Sequence, residues 1–297
     1  MIQQNLTTDI SRIKKADIRL VAVDLDGTLL NQEKKISNHT KEILIQAERE
    51  GILIVPSTGR HYYGIPKEVI DLEGVRYFLT TNGAAVYDKA ENRYLYEDAM
   101  PYDFALRIAE KLMQYDILVD AFIKGYAYRT EADMGYIQNL AIPDVLKEFI
   151  RNSRIGVPSL SRYIEENHLD VHKFTLNFKP DGQGGWIDRD HILALAEKEH
   201  DLTCVCGGFH NLELTHVTAT KGNALLKLGE YLGIDREQIM AIGDSGNDYT
   251  MLKAAGIGVA MGNAEPEVKS AADFITRSNQ EDGVAYAIEQ ILRKERE

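Results

Sequence analysis

Residues Ile18-Arg19-Leu20-Val21-Ala22-Val23 run directly into Asp24-Leu25-Asp26-Gly27-Thr28, and this junction decides the fold. The first six residues are mostly apolar, which predicts a strand inside a sheet covered on both faces. The run ends abruptly in acid. Working outward, Ser37 is a good N-cap for a helix with Ile43, Leu44 and Ala47 on one face and Gly51 at its end. Ile52–Val55 is a second apolar run, closed by Pro56-Ser57-Thr58-Gly59. Tyr77–Thr80 is a third, after which Asn82-Gly83 predicts a tight turn into Ala84–Tyr87. Apolar strands separated by helices predict a parallel sheet with both sides covered.

From about Asp88 the texture changes. The spacing predicts a helix over Phe104–Tyr115, a hairpin over Ile117–Tyr128 turning near Lys124-Gly125, and an alternating strand over Val171–Phe178. Asp188 or Asp190 is placed to cap a helix over His191–Lys198, and Thr203–Leu214 reads as two short strands joined at Gly207-Gly208. The βα rhythm then resumes. Helices are expected over Lys221–Tyr231, Tyr249–Ala255, Glu265–Ala272 and Gly283–Arg293, with strands at Ile239–Ile242, Ile257–Met261 and Phe274–Thr276. The fold class is therefore α/β, a Rossmann-like parallel-sheet core with an inserted α+β cap. The core is expected over 1–87 and 215–297 and the insertion over 88–214. Residues before Asp17 fit no element and are expected to form a mobile tail.

Composition narrows the function classes. At 297 residues the chain is long enough for two domains, and 44% hydrophobic with 27% charged residues is an ordinary globular balance. The formal charge is −12 and the pI near 5.2, against a protein built to coat nucleic acid or an anionic membrane. A small anionic substrate stays open, since one metal ion and one lysine reverse the sign locally. No apolar run approaches the ~20 residues that span a bilayer. The opening MIQQNLTTDISRIKKADIRL lacks the pattern of a secretion signal, so a cytoplasmic protein is expected. Cys204 and Cys206 have neither zinc nor redox spacing and are expected to be two buried, reduced thiols on one strand face.

In a parallel α/β sheet, ligands bind beyond the carboxyl ends of the strands. Asp24 and Asp26 follow the first strand, Thr58 in Ser57-Thr58-Gly59-Arg60 follows the second, and Asp244 in Gly243-Asp244-Ser245-Gly246-Asn247-Asp248 follows a later one. Lys221 opens a helix after Thr220. If these strands are neighbours, four carboxylates, a hydroxyl and an ammonium converge. Such a cluster cannot stay ionised and dry without a cation, and an oxygen-only donor set suits Mg²⁺. A carboxylate with one oxygen free of metal can attack phosphorus, and a second one two residues on can handle protons. Each motif alone has an ordinary reading: an Asp-Gly turn, a polar loop, a helix cap, a solvated lysine. An EF-hand does not fit, because no third acid and no closing glutamate follow at loop spacing. The conjunction points to phosphoryl chemistry.

With these motifs in this order, the chain resembles the haloacid dehalogenase superfamily of phosphatases, in its Cof-type branch with a large cap inserted after the third core strand. The likeness covers nearly the whole chain. It extends to Thr81-Asn82-Gly83-Ala84, Lys221-Gly222-Asn223-Ala224-Leu225, Val259-Ala260-Met261-Gly262-Asn263-Ala264 and Glu281-Asp282-Gly283-Val284. The resemblance implies that Asp24 is the nucleophile, forming an aspartyl-phosphate and binding Mg²⁺. It implies that Asp26 is general acid and then base, with its main-chain carbonyl on the metal. By the same resemblance Thr58 and Gly59 hold the phosphoryl group, Lys221 balances its charge, Asp244 is the second metal carboxylate, Asn247 contacts phosphate and Asp248 supports the lysine or a metal-bound water. The cap would close over the phosphate site and select the leaving group.

Other residues carry two readings each. Arg60 either clamps phosphate or pairs with an acid of the core. His172 and Lys173 either face the substrate or lie on an exposed strand edge. Tyr62 and Tyr63 either line the entrance or pack. The leading expectation is a Mg²⁺-dependent phosphatase of small phosphorylated metabolites, such as sugar phosphates or cofactors, with no nucleic-acid or membrane partner and a monomer by default. The alternatives are a phosphomutase on the same core and a non-catalytic regulatory protein that keeps the fold.

Overall fold

The computed structural model describes residues 16–207 and 210–292. The expectation of a tail falls on residues 1–15, outside the described residues. In chain order the first elements are β1 (Leu20–Asp24), α1 (Asn38–Arg49), β2 (Leu53–Ser57), β3 (Tyr77–Thr80), β4 (Ala85–Asp88) and β5 (Arg93–Glu97). Next come α2 (Tyr102–Leu112), β6 (Ile117–Ile123), β7 (Tyr126–Thr130), α3 (Asp144–Ser153), β8 (Arg154–Val157) and α4 (Leu160–Asn167). β9 (Lys173–Phe178), α5 (Arg189–Lys198), β10 (Leu202–Cys206) and β11 (Leu212–His216) follow. The last are α6 (Lys221–Leu232), β12 (Ile239–Gly243), α7 (Tyr249–Ala254), β13 (Ile257–Ala260), α8 (Pro266–Ala271), β14 (Phe274–Ile275) and α9 (Gly283–Leu292).

The chain divides into two compact units. One comprises Met1–Gly59, Ile65–Tyr96 and Thr220–Glu297; the other comprises Arg60–Gly64 and Glu97–Ala219. The first is built on a sheet of order β14-β13-β12-β1-β2-β3-β4-β5, parallel from β14 to β3 and antiparallel between β3 and β4. β1 lies at its centre and all five of its residues are buried, as a strand covered on both faces requires. Ser37 caps α1 by accepting from the Thr40 amide, Leu44 and Ala47 are buried, and Gly51 turns the chain at φ +84°. Register sets Leu20 beside both Leu53 and Ile239, and Asp24 beside Ser57. The carboxyl ends of β12, β1 and β2 are therefore adjacent.

The second unit has a mixed sheet of order β10-β11-β9-β6-β7-β8. One sheet face packs Val119, Ala121, Phe174 and Leu176 against Ile108 of α2, Ile164 of α4 and Ile192 of α5. The hairpin between β6 and β7 turns at Lys124 and Gly125, both in the left-handed region. Beyond the expected pieces, β5 and the stretch from a one-turn helix at Glu131–Met134 through α3, β8 and α4 are ordered structure that the sequence reading left blank. No helix among the described residues is long and apolar enough to cross a membrane.

Three expectations are corrected. β9 is an interior strand, not an exposed edge. His172 and Lys173 are buried, with Lys173 Nζ 2.6 Å from Glu213 Oε1 and His172 Nε2 2.9 Å from Glu97 Oε1. Asp188 occupies the N-cap position of α5 at φ +59°, but its side chain makes no capping bond; Oδ2 accepts from the Asp116 amide instead. The two thiols are not both buried. Both cysteines are free, Cys204 half-buried and Cys206 exposed, because β10 is an edge strand. Burial pushes the Cys204 thiol up to about 11. Alkylation needs the thiolate and access, so iodoacetamide at pH 8, read by mass spectrometry, should label Cys206 before Cys204. Cys206→Ser should change unfolding free energy by less than about 0.5 kcal/mol. Faster labelling of Cys204 would contradict this assignment.

Candidate active site

The site begins where β1 runs out. Asp24 is buried at the end of the central strand. The chain then curls back at once, with the Leu29 amide donating to Asp24 O at 3.1 Å and the Leu30 amide to Leu25 O at 2.9 Å. Gly27 makes this possible. Its φ is +95°, and a Cβ there would lie 2.4 Å from Asp244 Oδ2, so only glycine lets the loop pass the Asp244 carboxylate. Thr28 then donates to Asp244 Oδ1 at 2.7 Å, tying the loop after β1 to the loop after β12.

Lys221 stands at the first position of α6, behind the N-cap Thr220, whose hydroxyl accepts from the Asn223 amide. Its ammonium lies 2.6 Å from Asp24 Oδ1, 2.6 Å from Asp248 Oδ1 and 3.5 Å from the Ser57 carbonyl. Burial works against the Lys221 charge, yet the carboxylates of Asp24 and Asp248 outweigh it and hold the ammonium above its ordinary range. Asp24 is pushed the other way. Burial, then repulsion from Asp248 and Asp244, raises its carboxyl well above normal despite Lys221. Burial likewise lifts Asp244 to about 6, against the hydrogen bond from Thr28.

Asp248 is wholly buried. Besides Lys221 it accepts, through Oδ2, the amides of Asp244 at 3.0 Å and Ser245 at 3.1 Å. It therefore sets the loop that carries Asp244. Asn247 donates to Asn82 Oδ1 at 3.2 Å and accepts from Ser245 Oγ at 2.8 Å. The Thr58 amide donates to Leu79 O and the Thr58 carbonyl accepts from the Asn82 amide, so the loop after β2 is stitched to the turn after β3. The tight turn expected at Asn82-Gly83 is present, running from Thr81 to Ala84 between the antiparallel β3 and β4. Thr81, Asn82 and Gly83 form a helical turn with φ of +52°, +59° and +95°. A β-branched residue in the left-handed region is strained. The turn is held against the start of α6, where a Cβ on Gly83 would meet Thr220 O at 2.2 Å.

Asp26 stands apart from this buried knot. Its side chain is 38% exposed and lies 2.9 Å from Lys34 Nζ. Gly59 ends the first segment of the first unit, so Thr58 and Gly59 are followed immediately by Arg60–Gly64 of the second. Within that second unit, Arg60 donates to Gly64 O at 3.2 Å and its guanidinium lies over the Phe149 ring at 5.5 Å. Tyr62 is buried, and the half-exposed Tyr63 stacks on Tyr126 at 4.8 Å.

Asp24, Asp244 and Asp248 offer carboxylate oxygens that lie within 4.8 Å of one another. Asp248 has both oxygens engaged, whereas Asp24 Oδ2 is buried with no hydrogen-bond partner among the described residues. An orphaned carboxylate oxygen amid further acids fits a hard divalent cation. The sequence reading passed over several contributors. Thr28, Asn82, Asn263 (donating to Gly27 O at 2.8 Å) and Asn279 (donating to Leu30 O at 2.9 Å) fix the loops. All four lie in or beside the quoted motifs, but their partners are far away in sequence.

The chain matches known proteins along most of its length. The family model described as haloacid dehalogenase-like hydrolase matches residues 21–288. Phosphatase YwpJ of Bacillus subtilis is 31% identical over 93% of this chain and 100% of its own length. Pyridoxal phosphate phosphatase YbhA of Escherichia coli is 31% identical over 91% of this chain and 97% of its own. A solved haloacid dehalogenase-like hydrolase from B. subtilis superposes with a TM-score of 0.76 at 31% identity, covering 92% of this chain and 99% of that one. The chain belongs to the haloacid dehalogenase-like hydrolase family. It is an enzyme, a phosphatase of that family.

The Lys221 bridge generates a stability test. Removing the ammonium leaves two buried carboxylates without a counter-charge, a change typically worth about 3–5 kcal/mol. Lys221→Met should lower unfolding free energy by that amount in urea titrations at pH 7 with chelator present. A loss under 1 kcal/mol would show that the bridge does not hold the site together.

Proposed function

We propose that the enzyme is a Mg²⁺-dependent phosphatase that hydrolyses phosphate monoesters of small metabolites through an aspartyl-phosphate on Asp24. The observation that carries this is the Asp24 carboxylate, gripped through Oδ1 by Lys221 and left with a buried, unpartnered Oδ2. We take the unit containing the eight-stranded sheet as the catalytic core and the other as its cap. Asp24 and Asp244 through their side chains, with the Asp26 carbonyl, would hold the ion. When bound, it neutralises charge on the phosphoryl oxygens.

The protein's own groups then divide the work. Asp24 attacks phosphorus, the bond from phosphorus to the ester oxygen breaks, and Asp26 gives that oxygen a proton. Thr58 and the Gly59 amide hold the phosphoryl oxygens, Asn247 adds a contact, and Lys221 offsets the charge that builds on them. In the second step Asp26 takes a proton from water, the water oxygen attacks phosphorus, and the bond to Asp24 breaks. Asp26 must leave Lys34 to do this. An exposed ion pair is worth only ~0–1 kcal/mol, so the side chain swings at little cost. Relatives named for pyridoxal phosphate and for 5-amino-6-(5-phospho-D-ribitylamino)uracil support small phosphorylated metabolites, phosphorylated cofactors among them, as the substrate class. We take the enzyme to act in the cytoplasm as a monomer.

Chelation should abolish phosphate release from p-nitrophenyl phosphate and Mg²⁺ should restore it, while Mg²⁺ also raises the melting temperature. Turnover unchanged in excess chelator would remove the metal from the reaction. Asp24→Asn should eliminate turnover of every substrate. Asp26→Asn should cost ~10²–10⁴-fold in the first step with a sugar phosphate, whose alkoxide needs the proton, and much less with p-nitrophenyl phosphate. With the aryl ester, rapid-quench kinetics on this variant should show a burst of phenol and a phosphorylated protein by mass. Equal losses with both esters and no covalent phosphate would refute the role of Asp26.

A further inference from the structure

The turn between β3 and β4 keeps its shape against local preference. Asn82 lies in the left-handed region at φ +59°, between Thr81 at +52° and Gly83 at +95°. Asparagine tolerates that region better than most residues with a Cβ, yet glycine adopts it at no steric cost. A side chain kept at position 82 therefore asks for a reason beyond the turn itself. Asn82 is buried, and its side-chain oxygen is bonded to a residue 165 positions further along the chain.

Asn82 touches two loops at once. Its amide donates to the Thr58 carbonyl at 3.1 Å, on the loop after β2. Its Oδ1 accepts from Asn247 Nδ2 at 3.2 Å, on the loop after β12. Thr58, Asn82 and Asn247 come from three separate segments of the first unit. Asn247 stands in a single helical turn, Gly246–Asp248, and is only partly buried. Within its own loop it is met by Ser245, whose hydroxyl donates to Asn247 Oδ1 at 2.8 Å. The bonds to Ser245 and Asn82 together fix both ends of one amide. The oxygen, which repels an anion, is taken up by Ser245. The nitrogen carries two hydrogens, and with one given to Asn82 the second is left for an acceptor such as a phosphoryl oxygen.

We propose that Asn82 is a positioning residue for phosphoryl binding: its side chain aims the Asn247 donor while its amide sets the loop of Thr58, so contacts from two loops are registered against one residue. This rests on the phosphatase reading above, which puts Thr58 and Asn247 on the phosphoryl oxygens. It adds a residue that acts on the phosphoryl group only through others. The residue type follows from the two tasks. Glycine would keep the backbone and lose the aim, whereas aspartate would add negative charge to loops that receive an anion.

Asn82→Gly separates the side chain from the turn, because glycine keeps both the left-handed backbone and the amide. With p-nitrophenyl phosphate and saturating Mg²⁺, KM and the inhibition constant of inorganic phosphate should both rise about tenfold, the effect of losing one hydrogen bond to an anion, while kcat stays within about threefold. Asn247→Ala should give the same rise. Adding Asn82→Gly to Asn247→Ala should then change the phosphate constant by less than about twofold, since a residue that acts through another has nothing left to position. Effects that multiply in the double variant, or a fall in kcat with KM unchanged, overturn the assignment. So does an Asn82→Gly protein that does not fold, because the side chain then supports the fold rather than the ligand. Failure of the phosphatase reading looks different: the wild type does not turn over p-nitrophenyl phosphate with Mg²⁺. In that event Asn82 is read from the melting temperature with Mg²⁺ present. Inorganic phosphate should raise it in the wild type and raise it less than half as much in Asn82→Gly. Equal rises, or none in the wild type, overturn the assignment.

Discussion

One buried ammonium organises the unit built on the eight-stranded sheet. Lys221 is the point at which four chain segments meet: Asp24 from the end of β1, the Ser57 carbonyl from β2, Asp248 from the loop after β12, and its own helix α6. The charge that Lys221 brings offsets part of the cost of burying two carboxylates side by side. Asp248 passes the constraint on, because its second oxygen fixes the main chain at Asp244 and Ser245. Asp244 in turn receives Thr28, which closes the circle back to the loop that begins at Asp24. A third acid beside this pair raises the local negative charge beyond what one lysine neutralises. The knot is thus stable enough to form and still short of positive charge, a condition that a hard divalent cation fits.

The strained turn after β3 belongs to the same circuit. Thr81 and Asn82 adopt conformations that L-residues avoid, and they keep them because the Thr58 carbonyl, the Asn247 amide and the start of α6 all press on the turn. Strain persists where its surroundings over-determine it. Here the effect is to set the loop bearing Thr58 and the helix bearing Lys221 in one frame, so that neither shifts without the other.

Much of this was legible in the sequence, for a definite reason. Core strands such as Tyr77–Thr80 and caps such as Ser37 are local signals, and a strand in a parallel sheet leads its functional residues to one edge whatever the rest of the chain does. Contacts that depend on distant partners were not legible. Nothing near Thr28 announces Asp244, 216 positions away. The second unit was harder still. Its middle stretch is built from a one-turn helix, a 3₁₀ segment and short elements with no sustained period. Its sheet also buries lysine, arginine and histidine, which read as surface letters until partners 40 or 75 residues away are known. Cys206 misled in the opposite sense, since a residue type usually buried lies on an edge strand.

The grouping of Arg60–Gly64 with the second unit has a consequence for how this architecture can be taken apart. The polypeptide passes between the two units four times, at 59/60, 64/65, 96/97 and 219/220, rather than the two times a simple insertion needs. Excising the long segment alone would leave behind five residues whose packing partners had gone, among them His61, whose ring rests on Phe122 and whose Nδ1 bonds Gly125 O. A transplant of this unit onto another member of the family is consequently a two-piece graft. Its shorter piece is spliced directly onto Thr58-Gly59, so exchange of the larger module edits the loop after β2 at the same stroke. Recombination that ignores the short piece would yield chimeras mismatched at both ends, whichever donor supplied the long one.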